Sequence, residues 1–208
     1  MELWGASHVN HIRGIAKQVG WAGLVTILSL LSAWTSISFI LSDNPKLAII
    51  FSVLAFLLDS LDGFVARKLG TSSVFGTYFD SMVDAINYSV LAALVTEQVL
   101  LPGIAGYLIG FLILVFGILR LVLFTVNGFA KKDDKVYYVG VVTPHLTLAT
   151  ALIFFLSQVA EIPAWFIATV LGILAVLQLS TIKTRKTGVL LFWIPISIAI
   201  AIGAVVWL

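Results

Sequence analysis

Cysteine is absent from this chain, which excludes disulfides, a thiol nucleophile and a zinc–thiolate site, and leaves the redox compartment unmarked. Charge is scarce as well. Only 11% of the 208 residues are Asp, Glu, Lys or Arg, against about 25% in an ordinary soluble domain. The formal net charge of +2 is too small to point to a nucleic-acid partner. No repeat of domain-building length and no low-complexity tract interrupts the chain. The first 19 residues hold Glu2, His8, His11, Arg13 and Lys17 and no long apolar core, so they do not read as a cleaved signal peptide. What fills the chain instead is apolar: 61% hydrophobic residues and a mean hydropathy of +1.12. That composition is an integral membrane protein's.

Continuous apolar runs near the ~20-residue length that spans a bilayer predict helices. They cover Gly20–Leu41, Leu47–Leu69, Phe75–Leu100, Gly103–Val126, Val139–Ala160, Ala164–Ser180 and Gly188–Trp207. A β-barrel is excluded, because its strands would alternate in hydrophobicity rather than run on. The expected fold is therefore all-α, a polytopic helical bundle over residues 20–208, preceded by residues 1–19. Ile12, Ile15 and Val19 in that lead-in share a helical face, with Arg13 and Lys17 free to meet headgroups, which fits an interfacial segment. A short polar lead-in without a special role accounts for it equally well.

The basic residues are placed asymmetrically. Arg13 and Lys17, Arg67 and Lys68, Lys131, Lys132 and Lys135, and Lys183, Arg185 and Lys186 all fall on one side of the expected spans, and Arg120 approaches the same side. Only Lys46 falls opposite. This bias predicts a cytoplasmic N-terminus.

Four aspartates interrupt the second and third apolar runs: Asp59 and Asp62, then Asp80 and Asp84. A charged carboxylate near the bilayer centre costs roughly 2.5–3.5 kcal/mol on insertion scales. Pairing with a basic residue inside the bundle can explain an isolated case, but there are too few intramembrane cations for four. Asp59, Asp62 and Ala66 share one helical face, and Gly76, Asp80 and Asp84 line up on the next helix. Asp59 lies only about 12 Å along its helix from Arg67 at 1.5 Å per residue, so the quartet belongs to the cytoplasmic half. Hard oxygen ligands of this kind suit Mg2+ or Mn2+, and four of them match the charge of two divalent ions. Gly63 and Ala66 remove side-chain bulk beside the carboxylates, and Arg67 offers a planar fork suited to phosphate. Ions, small residues and arginine together point to phosphate chemistry.

The full pattern is Asp59-x2-Asp62-Gly63-x2-Ala66-Arg67-x8-Gly76-x3-Asp80-x3-Asp84. It resembles the signature of the CDP-alcohol phosphotransferases at every fixed position. The resemblance implies a six-helix transmembrane core, to which the seventh run would be an addition. It implies a reaction in which an alcohol displaces CMP from a CDP-linked lipid, either CDP-diacylglycerol or CDP-archaeol. It further implies that Asp59, Asp62 and Asp80 bind two Mg2+ or Mn2+ ions, with Asp84 near the second. Asp84 would be the general base, while Asp59, Asp62, Gly63, Ala66, Arg67 and Gly76 would form the CDP-lipid site. A homodimer in the cytoplasmic membrane, with its site facing the cytoplasm, is implied too.

Ile118-Leu-Arg120-Leu-Val-Leu-Phe124 and Tyr138-Val-Gly140-Val-Val-Thr-Pro144 resemble the phosphatidylserine synthase branch of that family, differing at Leu123, Thr125 and Val142. Serine would bring a carboxylate that needs a cation, and Arg120 is the best candidate; a snorkelling interfacial arginine is the alternative. Inositol phosphate, glycerol phosphate, choline and ethanolamine stay open as acceptors. The region around Lys131, Lys132, Asp133, Asp134 and Lys135 reads as a solvated loop near anionic headgroups. His145 reads as a helix-end residue. Thr26 and Ser29 either face the nucleotide or bond within their helix, and Gly106-x3-Gly110 is a small-residue face for packing within or between chains. Two other classes compete: a membrane polyprenyl transferase, which also uses aspartates and diphosphate, and a cation transporter, which leaves Arg67 and the Gly63/Ala66 pair unexplained.

Overall fold

In the computed structural model, described over residues 2–70, 73–128, 130–132, 135–185 and 203, the chain is an all-α membrane bundle with one small sheet. Helix α1 (Glu2–Leu41) kinks at Gly20, whose φ of 56° and ψ of −166° suit a residue without a Cβ. The expected lead-in is thus helical from Glu2, and the non-helical backbone at Gly20 separates it from the first span. Helix α2 (Pro45–Leu69) starts where Pro45 needs no hydrogen-bond acceptor and the Asn44 side chain accepts from the Leu47 amide at 3.3 Å. It stops at Gly70, whose left-handed φ of 64° lets its amide reach the carbonyls of Ala66 and Arg67.

Helix α3 (Val74–Asp84) is capped by Ser73, which accepts from the Gly76 amide at 3.0 Å. It runs on through a π-helical segment (Ala85–Val90), a short α4 (Leu91–Val95) and a second π-helical segment (Thr96–Leu100). The single apolar run over Phe75–Leu100 is therefore one helix with two widened turns. Then come α5 (Ile104–Asn127), α6 (Thr143–Val159) and α7 (Ala164–Leu177). The expected seventh helix, Gly188–Trp207, lies outside the described residues except at Gly203.

Gln18–Leu41, Pro45–Leu69 and Ile104–Asn127 are long and apolar enough to cross a bilayer. Large apolar side chains such as Trp21, Leu24, Leu28, Leu31 and Trp34 on α1 lie exposed, as lipid contact requires. Inside, Ala33, Ile49, Val53, Leu91 and Phe154 form one core, and Ala92, Ile113, Leu146 and Leu171 form another. α1 and α2 pack closely along their length. Hydroxyl-to-carbonyl bonds tie them, Ser36 Oγ to Ala48 O at 2.6 Å and Ser29 Oγ to Ala55 O at 2.9 Å. Such small polar side chains let two backbones approach where apolar burial alone distinguishes little from lipid.

One expectation is corrected here. The segment read as a solvated loop, followed by a helix from Val139, contains strands instead. β1 (Ala130–Lys132), β2 (Lys135–Val139) and β3 (Lys183–Arg185) form an antiparallel sheet in the order β1-β2-β3, with Ala130 opposite Tyr137 and Tyr138 opposite Thr184. The run Val136-Tyr-Tyr-Val139 is β-branched and aromatic, so it suits a strand. Gly140 then turns with φ 79° before Pro144 opens α6. The small-residue face Gly106-x3-Gly110 serves a contact within the chain: Gly106 lies against Leu101 and Glu97, and Gly110 against Ala93.

Candidate functional site

The four aspartates meet where α2 and α3 run side by side. Spacings of three and four residues place each pair on one face, and the turn between the helices brings the two faces together. One carboxylate oxygen each from Asp59, Asp62 and Asp80 lies within 4.8 Å of the others. Asp84 falls outside that trio. Both Asp59 Oδ1 and Asp84 Oδ1 are buried with no hydrogen-bond partner. Neutral donors meet other oxygens of the cluster: Thr26 Oγ1 donates to Asp62 Oδ2 at 2.5 Å, and the Tyr88 hydroxyl donates to Asp59 Oδ2 at 2.6 Å. Converging carboxylates with unpartnered buried oxygens are costly unless a cation sits among them. The donor set therefore fits a hard divalent ion.

Beside the trio is a cavity of about 120 Å³. Thr26 of α1, Asp62, Gly63 and Ala66 of α2, and Gly76 and Asp80 of α3 line it. Gly63 matters for what it leaves empty. A Cβ there would sit 3.3 Å from Arg67 Nη1, so the guanidinium lies across the space that a side chain would fill. Arg67 is itself exposed, free to turn toward an anion. Gly76 is close to the capping Ser73, whose Oγ would be 3.2 Å from a Cβ. Ser81 Oγ and Thr125 Oγ1 are 2.9 Å apart and join α3 to α5 next to Asp80 and Asp84.

Arg120 is not a snorkelling residue. It is only 4% exposed, its guanidinium carbon lies 5.3 Å from the Phe124 ring centre, and its Nε has no hydrogen-bond partner. Tyr138 on β2 lies in the field of Arg120, Arg67 and Asp84; burial pushes its phenol up, against the lowering influence of the two arginines. The sheet thus brings an aromatic residue against Phe124, with ring centroids 6.1 Å apart. His145 Nδ1 is 3.1 Å from Val142 O, in keeping with a helix-end role. Thr26 faces the cavity, whereas Ser29 bonds Ala55 O and accepts from Asn87 Nδ2 at 2.6 Å, joining helices rather than facing a ligand.

The sequence reading passed over three site residues. Tyr88 and Asn87 sit in the π-helical segment, beyond the motif. Tyr88 does extend the Asp80, Asp84 stripe by one more step of four, the only signal that could have found it. Tyr138 was noted only as part of a branch pattern.

Residues 20–208 match a family described as CDP-alcohol phosphatidyltransferase. A CDP-diacylglycerol–serine O-phosphatidyltransferase of Mycobacterium leprae (strain TN) is 36% identical over 124 residues, 58% of this chain and 41% of that protein. An archaetidylserine synthase of Methanothermobacter thermautotrophicus is 30% identical over 165 residues, 78% of this chain and 69% of the relative. A chloroplastic CDP-diacylglycerol–glycerol-3-phosphate 3-phosphatidyltransferase 1 of Oryza sativa is 44% identical over 52 residues, 24% of this chain and 16% of the relative. The matched region spans about two-fifths of the length of the mycobacterial relatives.

Proposed function

Since the chain belongs to the CDP-alcohol phosphatidyltransferase family, we propose that it transfers a phosphatidyl or archaetidyl group from a CDP-lipid to the hydroxyl of serine and releases CMP. The single observation that carries this reading is the convergence of Asp59, Asp62 and Asp80 beside a cavity floored by Gly63 and Ala66. Serine as acceptor draws on the relatives that act on serine and on buried Arg120. Membership of this family argues against the polyprenyl transferase and cation transporter readings.

Asp59, Asp62 and Asp80 would hold Mg2+ or Mn2+, two ions in all with Asp84 beside the second. When bound, such ions neutralise diphosphate charge and make CMP a better leaving group. The rest falls to the protein. Gly63 and Ala66 leave room for the diphosphate, and Gly76 lets α3 begin tightly beside it. Arg67 swings from above Gly63 to grip phosphate oxygens in its fork. Arg120, desolvated beside Phe124, holds the serine carboxylate and turns its hydroxyl toward the donor. Asp84 takes the hydroxyl proton as the serine oxygen bonds to the lipid-side phosphorus. The bond from that phosphorus to the CMP oxygen breaks, and CMP leaves with the electron pair. Eleven of the chain's twelve basic residues bias one side, which supports a site and an N-terminus at the cytoplasmic face of the cell membrane. Residues 1–19 lie along that face as an interfacial segment, and two copies of the chain pair as a homodimer.

The test supplies purified protein with a CDP-lipid and, separately, serine, inositol phosphate, glycerol phosphate, ethanolamine or choline, with and without chelator. CMP should form with serine and stop when metal is removed. CMP formed only with another acceptor would keep the reaction and overturn serine; no CMP with any acceptor would overturn the reaction.

A further inference from the structure

Tyr88 is among the most deeply buried large side chains of the bundle, 1% exposed, with its hydroxyl on an acidic residue rather than on solvent. The bond from Tyr88 Oη to Asp59 Oδ2 is 2.6 Å long. It occupies one oxygen of Asp59 and leaves Oδ1 buried and unpartnered. Asp59 also contributes an oxygen to the trio with Asp62 and Asp80. A carboxylate on a single bond to its helix can rotate; a donor fixed on one oxygen stops that rotation and presents the other.

The donor itself is held from three sides. Its carbonyl accepts Thr147 Oγ1 of α6 at 3.0 Å, and its ring meets Phe56 edge-on with centroids 6.3 Å apart. The neighbouring Asn87 Nδ2 reaches Ser29 Oγ of α1 at 2.6 Å, and Ser29 in turn donates to Ala55 O. Tyr88 therefore belongs to a rigid block joining α1, α2, α6 and the π-helical segment, and π-helical turns recur at functional sites because they redirect side chains. Thr26 does for Asp62 what Tyr88 does for Asp59, since it too donates to an Oδ2.

We propose that Tyr88 is a positioning residue for the metal site. It orients Asp59 through its hydroxyl, touches neither substrate nor ion, and sets the affinity of the acidic trio for a divalent cation. The inference rests on the metal reading of the trio. Outer partners of ligating carboxylates typically change metal affinity by about 10–100-fold when removed.

The experiment measures Mn2+ binding by electron paramagnetic resonance on purified full-length protein in detergent, without substrate. Wild type should bind Mn2+, and Y88F should bind it at least about tenfold more weakly while keeping the helical circular dichroism of wild type. A second pair, D59N and D59N/Y88F, removes the anionic acceptor of the bond first alone and then together with its donor, and so tests the hydroxyl even if Y88F alone does not fold. These two should bind Mn2+ equally, because Tyr88 acts only through Asp59. Unchanged affinity in folded Y88F, or a further loss in D59N/Y88F, would overturn the positioning role while the metal site stands. Absence of Mn2+ binding by wild type would overturn the metal reading and the inference with it.

Discussion

At the scale of single residues, the acidic quartet divides by position. Asp59, Asp62 and Asp80 form the trio, and Asp84 stands outside it with one oxygen buried and unpartnered. A base must be able to receive a proton, and a carboxylate outside the trio keeps an oxygen for it. D84N should therefore lower the rate of CMP formation by about 10²–10⁴-fold, the usual contribution of a positioned general base. Mn2+ affinity measured on the same variant should fall far less. Normal turnover in D84N would remove Asp84 from the chemistry, and equal loss of binding and turnover would make it a ligand instead. The bifunctional neighbours Gly63 and Arg67 show the same economy: a missing side chain makes the space that a guanidinium crosses.

At the scale of elements, the features that place the site are the ones that interrupt regular helix. The π-helical segment Ala85–Val90 carries Tyr88 and Asn87, which tie α3 to α1, α2 and α6. Gly140 is the corner between β2 and α6. Its φ is 79°, its amide donates to Ile182 O at 2.8 Å, and an added Cβ would collide with the Gln178 carbonyl. Strain in that backbone region costs about 1–3 kcal/mol for a residue with a side chain. The collision adds to it, because a carbonyl of the main chain cannot rotate away. G140A should lower the unfolding temperature in detergent and raise the serine KM more than the CDP-lipid KM, since the corner sets where Tyr138 stands relative to Arg120. An unchanged unfolding temperature would mean that the corner relaxes freely. The hairpin was hidden in the sequence by its own composition. Lys131 to Lys135 look solvated, and a strand as short as five residues has no periodicity to separate it from a loop or a helix start.

At the scale of the whole molecule, the proposed orientation rests on charge counted over many segments rather than on any one. The absence of cysteine makes a clean test of it. A single cysteine in place of exposed Lys68, in the last turn of α2, should be protected from a membrane-impermeant maleimide in intact cells and react once the membrane is opened. One in place of exposed Ser42, between α1 and α2, should react in intact cells. The reverse pattern would invert the topology and move the acidic trio to the outer half of the bilayer.

How much could be read without the structure differs with the range of the forces involved. The membrane character, the positions of the spans and the pairing of Asp59 with Asp62 and of Asp80 with Asp84 follow from local composition and helical spacing, because a helix in lipid must satisfy its own backbone and expose apolar side chains. The eight-position motif carried the family for the same reason: its residues sit on two consecutive helices joined by a short turn. What only the tertiary structure decided is which partners arrive from elsewhere in the chain. Thr26 on Asp62, Tyr88 on Asp59, Arg120 withdrawn beside Phe124, and Gly106 turned inward each depend on how separate helices rotate and pack. Those rotations are set by shape and by buried hydrogen bonds between distant segments, which no stretch of sequence holds by itself.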